Sequence, residues 1–215
     1  GEIVLVVIGI LIALQINTWN EDRKINIQEL TILKELNLSL ESNKNILNGR
    51  INNFQDKIFR GKLLQEHLRE KLPYNDSLSS FFKIPTYALT VGLSFASFEN
   101  TKNQGLQIIK NNALRLELIK LFDEEFKHIT VLGVNSQALL TNTIAPFLQK
   151  HFEYTSYGLE PNNYLELLKA KEYENILSRS IYLNSLACSS SSDVLAKTDL
   201  LITALEEEIK QLKKR

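Results

Sequence analysis

The chain is poor in the residues that carry most recognisable protein chemistry. Its 215 residues include one cysteine, three histidines and no methionine, and 25 basic residues balance 25 acidic ones. A single cysteine excludes an internal disulfide. Proteins that bind nucleic acid usually carry an excess of basic residues on one surface, and this chain has no such excess. We therefore expect no nucleic-acid partner. Without methionine the chain holds no initiator, and we expect further residues upstream of Gly1.

Motifs for catalysis and metal binding are also lacking. The sequence has no phosphate-binding glycine loop, no nucleophile elbow and no Cys-x-x-Cys pair. The Glu-x-x-His spacing from Glu125 to His128 lacks the second copy and the further glutamates that a di-iron bundle needs. We interpret both as surface residues and Cys188 as a small buried side chain. We therefore predict no catalytic residue, cofactor or metal ion, and we identify no small-molecule substrate.

What the sequence does contain is an apolar run near its N-terminal end, in GEIVLVVIGILIALQINTWNE. Residues 3–14 hold no polar side chain. A helix over residues 1–19 would rise about 28 Å, close to the roughly 30 Å of a hydrocarbon core. Trp19 is typical of the membrane interface, and charged residues follow it directly. We predict a transmembrane anchor over residues 1–20, with the lipid bilayer as a partner.

Two other interpretations of the apolar run stay open. A helix buried inside the protein has a similar composition, and so has a secretory signal peptide. A cleaved signal needs a small-x-small site, and ALQINTW does not offer a good one. A helix lying flat on the bilayer is disfavoured, because residues 3–14 provide no polar face.

The predicted anchor contains candidates for packing against a second helix. Gly9 and Ala13 form a small-xxx-small pair on one helix face, where another helix can approach closely. Gln15 can hydrogen-bond to a neighbouring helix inside the bilayer. We therefore predict a homo-oligomer or docking on a membrane-complex partner, with Trp19 as the interface anchor.

A long helix is predicted to follow the anchor as a stalk. Between Glu2 and Leu72 there is no proline, and an apolar row with a seven-residue period runs through this part of the chain. The row comprises Leu33, Leu40, Leu47, Phe54, Gly61 and Leu68. Such a period is typical of a packed helix seam, so we predict a helix over residues 21–72 within an antiparallel bundle.

Proline and glycine divide the rest of the chain into helices and loops. Pro73 and Pro85 bracket an irregular segment at 73–93, and YTSYGLEPNNY is predicted to be a loop. The remaining predicted helices span residues 94–104, 112–152, 164–174 and 178–213, with a kink or restart at Pro146. The predicted fold class is all-α, with a transmembrane helix that continues into the stalk and one helical bundle domain over residues 21–215.

Three stretches also resemble a known family. The apolar run with its flanks, the following ILKEL and the later SFENTKNQGLQIIKNNALR resemble an uncharacterised Bacteroidota family of single-span membrane proteins, known only as a domain of unknown function. Members carry a basic segment before the apolar run, which implies a cytoplasmic N-terminus and a large periplasmic domain on the bacterial inner membrane. This chain lacks that segment, so its orientation rests on the resemblance. The resemblance implies no catalytic residues.

These features predict a membrane-anchored helical interaction or scaffold module, self-associating or an accessory subunit of a membrane complex. A periplasmic sensor domain for a small ligand is the alternative. Chemoreceptor-like sensors relay through a second membrane helix, and the sequence has no second apolar run of about eighteen residues. An enzyme with an unrecognised site is the second alternative, and it would need polar groups that converge in a pocket.

Overall fold

The computed structural model describes residues 1–214, except for the side chains of residues 3–5. The described chain is mostly helical, which confirms the predicted all-α class. Two strands of three residues each form a small antiparallel pair, in which Glu153 lies opposite Glu160.

The helices and strands follow one another along the chain as α1 (Glu2–Arg69), α2 (Ser79–Phe82), α3 (Ala96–Gln104), α4 (Asn112–Ile119), α5 (Lys127–Leu139), α6 (Ala145–His151), β1 (Phe152–Tyr154), β2 (Leu159–Pro161), α7 (Tyr164–Leu167) and α8 (Lys171–Leu212). Short 3₁₀ turns lie at Asp76–Leu78, Ile84–Thr86 and Leu106–Ile108. π-Helical turns join α4 to α5 at Lys120–Phe126 and α5 to α6 at Leu140–Ile144.

The chain divides into two compact units, and neither is continuous in sequence. Unit 1 comprises Gly1–Ser42, Ser94–Phe122 and Thr198–Arg215, and unit 2 comprises Asn43–Leu93 and Asp123–Lys197. The sequence predicted one domain over residues 21–215. The division was not visible there because α1, α8 and the helical path from α4 to α6 each contribute residues to both units.

Helix α1 begins at Glu2 and ends at Arg69, three residues before the predicted end. Its end is set by a left-handed residue, Lys71, with φ of +52°. The N–H of Leu72 donates to the carbonyl of His67 and the N–H of Lys71 donates to the carbonyl of Leu68, both at 3.1 Å. This pair of hydrogen bonds forms a Schellman motif, which commonly satisfies the last carbonyls of a helix.

Unit 1 has an aromatic and aliphatic core built around α1. The rings of Phe98 and Phe122 stack with centroids 4.5 Å apart. Asn111 caps α4, because its side-chain oxygen accepts a hydrogen bond from the N–H of Leu114. Gly105 ends α3 with φ of +102°, a conformation that side chains with a Cβ rarely adopt.

Unit 2 has an aromatic core centred on Tyr173. The rings of Phe82, Phe147 and Phe152 lie 5.3 to 6.0 Å from the Tyr173 ring, measured between centroids. Tyr173 is fully buried, and this burial raises the pKa of its hydroxyl.

Within unit 2, α1 and α8 run in opposite directions in close contact. The amide of Gln65 donates to the hydroxyl of Ser178 at 2.8 Å. One turn earlier on α1, a Cβ added to Gly61 would lie 2.8 Å from Cγ1 of Ile181. Because real Cβ atoms do not come so close, glycine at position 61 lets the two helices approach.

The predicted path between residues 152 and 178 was wrong in two places. The β1–β2 hairpin overlaps the expected loop at 154–164 and begins at Phe152, the last residue of the predicted helix 112–152. A Cβ added to Gly158 would lie 2.1 Å from the carbonyl oxygen of Ser79. The predicted helix 164–174 is a single turn, α7, and α8 starts at Lys171 instead of residue 178. No glycine or proline interrupts the chain after Lys171, so α8 continues without a restart.

The predicted helix 112–152 runs from Asn112 to His151 and is interrupted by the two π turns. The second π turn ends at Ile144, two residues before Pro146, which has no N–H to donate to a preceding carbonyl. The predicted kink or restart at Pro146 therefore takes the form of a local π turn.

Candidate functional site

The N-terminal part of α1 presents large apolar side chains on all sides. Between Val6 and Ile16 these side chains occupy successive positions around the helix, and the exposed fractions include 62% for Val6, 59% for Leu11 and 60% for Ile16. A continuous apolar surface of this kind marks a place where a protein contacts lipid or another protein.

The predicted packing residues of the anchor lie on this exposed surface. A Cβ added to Gly9 would meet no atom within 4 Å, and Ala13, Gln15 and Trp19 are exposed. No helix in the described part of the chain is long and apolar enough to cross a membrane. The predicted anchor also includes Ile3, Val4 and Leu5, whose side chains lie outside the described residues.

The residues of the predicted seam lie in the cores of the two units. Leu33 and Leu40 are fully buried in unit 1, and Leu47 and Phe54 are fully buried in unit 2. Leu68, at the end of the row, is partly buried against the core of unit 2.

The Glu125 and His128 pair is not part of a metal site among the described residues. Glu125 lies in the first π turn and forms a salt bridge with Lys197. Within residues 1–214 there is no group of three histidine, cysteine or acidic side chains that could hold a metal ion. Cys188 is partly buried.

A buried glutamate in unit 1 was missed at the sequence level. The carboxylate of Glu29 is fully buried and accepts a hydrogen bond of 2.7 Å from the backbone N–H of Lys110. The ammonium of Lys110 donates to the side-chain oxygen of Asn26, also at 2.7 Å. These contacts hold residues 106–110 against α1. Glu29 lies four residues before Leu33, and this spacing could have indicated that it is on the buried face.

A buried lysine in unit 2 was also missed. Only 7% of Lys57 is exposed, and its ammonium lies 4.5 Å from the ring centroid of Tyr87. Burial, assisted by the positive charge of Arg50 and opposed by Asp56, lowers the pKa of Lys57 from 10.5 to about 8.

Unit 2 contains a cleft of about 760 Å³. It lies between the end of α1 and the connection from α7 to α8. The buried and partly buried residues of its lining, which we call its floor, include Leu68, Leu167 and Leu177, whereas its exposed lining residues, which we call its rim, are charged. The rim has five basic residues and two acidic ones, which are Lys62, Arg69, Lys71, Lys169, Lys171, Glu66 and Glu174.

Comparisons of this chain with protein-family models, curated proteins and solved structures found no match. The resemblance to the Bacteroidota membrane family therefore stays a prediction.

Proposed function

We propose that this protein is a membrane-anchored helical scaffold of the bacterial inner membrane, which acts by binding partners and not by catalysis. The observation that carries this proposal is the exposed apolar surface around α1 between Val6 and Ile16. In the sequence, residues 3–14 form a run of twelve residues without a polar side chain. Exposing such a surface to water is unfavourable, because removing apolar area from water stabilises a protein by about 25 cal/mol for each square ångström.

The shape of the apolar surface favours insertion over surface binding. A helix that lies on a bilayer keeps one polar face toward water. Here the exposed apolar side chains surround α1, and Trp19 with the charged residues after it supplies an interface on one side only. We place the rest of α1 outside the bilayer as a stalk and, from the family resemblance, in the periplasm.

Liposome flotation of matched variants tests the anchor. Leu11 and Ile27 are both leucine-sized, lie on α1 and are 59% and 55% exposed, but only Leu11 belongs to the apolar run. We expect Leu11→Arg to reduce the fraction of protein that floats with liposomes, because a charge in the hydrocarbon core costs about 3 kcal/mol. We expect Ile27→Arg to float like the unaltered protein. Equal flotation of both variants, or no flotation of the unaltered protein, would contradict the proposal.

A second candidate function is a sensor domain for a small ligand. The cleft at the end of α1 favours it, because its volume of about 760 Å³ lies in the range of small-molecule sites. A scaffold has no need of such a cleft.

A further inference from the structure

The cleft at the end of α1 has an uncompensated positive charge on its rim. Its two acidic residues are already paired, since Glu66 lies 3.8 Å from Arg69 and Glu174 lies 2.6 Å from Lys171. The other basic residues of the rim, Lys62, Lys71 and Lys169, have no carboxylate partner in the part of the chain that the structure describes. Three positive charges therefore converge on a cleft whose floor is apolar.

Lys71 occupies a backbone position that does not suit lysine. It has φ of +52°, a left-handed conformation in which glycine is preferred at the end of a helix. A side chain with a Cβ costs about 1 kcal/mol there relative to glycine. The helix end would be more stable with glycine, and the side chain that is kept instead lines the cleft. Unfavourable backbone conformations of this kind cluster at ligand-binding sites.

One residue that lines the cleft also has a buried hydroxyl without a partner. Tyr173 is one of the lining residues, and its hydroxyl has no hydrogen-bond partner among the described residues. Buried polar groups in folded proteins nearly always have a partner, which can be the protein, ordered water or a ligand.

We propose that this cleft binds an amphipathic organic anion, with its carboxylate or phosphate group among Lys62, Lys71 and Lys169 and its apolar chain on Leu68 and Leu177. Lysine ammonium groups suit an anionic head, and the leucine floor suits a hydrocarbon chain or ring. A bare inorganic anion would leave the floor uncovered, and an apolar or cationic amphiphile would leave the rim uncompensated. This inference assigns a ligand class to unit 2 and does not depend on the membrane anchor.

Thermal unfolding of the full chain with three probes tests the ligand class. The probes are octanoate, octylammonium and acetate, added at equal concentration and ionic strength to protein in one fixed amount of nonionic detergent. We expect octanoate alone to raise the unfolding temperature, because a ligand that binds only the folded state stabilises it by mass action. An equal rise with octylammonium would show that only the apolar chain is recognised. An equal rise with acetate would show that only the charge is recognised, and either result would overturn the proposal.

Two variants test the assigned rim residues. We expect Lys71→Gly to raise the unfolding temperature without ligand, because the strained backbone is relieved, and to weaken octanoate binding about tenfold, which is the loss of about 1.4 kcal/mol from one charged contact. These two changes have opposite signs, so a folding defect could not produce both. We expect Lys169→Gln to weaken octanoate binding to a similar extent, and Lys150→Gln, on an exposed lysine of unit 2 outside the cleft, to leave it unchanged. Unchanged octanoate affinity in either Lys71→Gly or Lys169→Gln would overturn the assignment.

Discussion

At the scale of single residues, Lys57 shows how a polar side chain in a core affects stability. The side chain is nearly buried, and the ring of Tyr87 is a weaker partner for its ammonium than water or a carboxylate would be. Its pKa of about 8 in the folded protein is lower than the ordinary 10.5. The unfolded chain therefore holds the proton more tightly than the folded protein does.

This difference predicts a specific dependence of stability on pH. Below pH 8 the ammonium is charged in both states and its full burial cost is present, whereas between pH 8 and pH 10.5 only the unfolded chain keeps the proton. Stability attributable to Lys57 therefore rises with pH across this window. We expect Lys57→Met to increase the free energy of unfolding by about 2 kcal/mol at pH 7, with the gain shrinking toward pH 10.5.

Urea unfolding at several pH values measures this effect. The quantity to compare is the difference between the unaltered protein and Lys57→Met, since other groups that titrate at high pH then cancel. Lys150→Met, at an exposed position, is the matched control and should show no such difference. A stability gain that stays constant from pH 7 to pH 10.5 would contradict the assigned pKa.

At the scale of elements, α1 illustrates how far a periodic pattern determines packing. Leu33 and Leu40 are fully buried, as their seven-residue spacing predicts, but Glu29 and Lys57 are buried on the same helix. A periodic pattern identifies which side of a helix is covered, but it does not show which polar side chains find a partner there. The partners of Glu29 and Lys57 come from residues 110 and 87, which are distant in sequence.

The two faces of α1 give a matched pair of substitutions. Leu40 is fully buried, whereas Leu38, two residues before it, is 71% exposed. We expect Leu40→Asp to lower the free energy of unfolding by about 4 kcal/mol, because an unpaired charge in a core is costly. We expect Leu38→Asp to lower it by about 0.5 kcal/mol, the difference in helix propensity between leucine and aspartate.

Circular dichroism during urea unfolding distinguishes the two variants. Equal loss of stability in Leu38→Asp and Leu40→Asp would mean that the covered side of α1 in unit 1 is not the one described. A loss of stability several times larger in Leu40→Asp than in Leu38→Asp supports the buried row.

The short elements were the least predictable from sequence. The β1–β2 hairpin has three residues in each strand, too few for an alternating apolar pattern, and the close approach of Gly158 to the backbone of Ser79 joins parts of the chain about eighty residues apart. The π turns at Lys120–Phe126 and Leu140–Ile144 likewise contain no glycine or proline that would mark them in the sequence. Of the candidate sites, the apolar segment of α1 was visible in the sequence. The cleft was not, because its basic residues come from two separate segments, 62–71 and 169–171.

At the scale of the whole molecule, the proposed scaffold role requires association through the apolar segment. Gly9 and Gly49 are both exposed on α1, and an added Cβ meets no atom within 4 Å at either position. We expect the detergent-extracted protein to be one defined oligomer and Gly9→Leu to dissociate it, because leucine would keep the helices apart at the Gly9 and Ala13 face. We expect Gly49→Leu to leave the oligomer intact.

Mass measurement by light scattering in detergent compares the three proteins. A monomeric unaltered protein at micromolar concentration would remove the self-association proposal. An oligomer that survives Gly9→Leu would show that this face contacts lipid instead of a second helix.

The composition of unit 1 from three separated stretches has a consequence for biosynthesis. A ribosome completes Gly1–Ser42 first, but the stretch Thr198–Arg215, which contributes the buried Leu201, Leu205 and Ile209, follows only after all of unit 2. During that interval the core of unit 1 lacks these three side chains, so the growing polypeptide exposes apolar surface of the kind that chaperones bind. A nonsense mutation ahead of residue 198 would remove this stretch and leave the core of unit 1 incomplete.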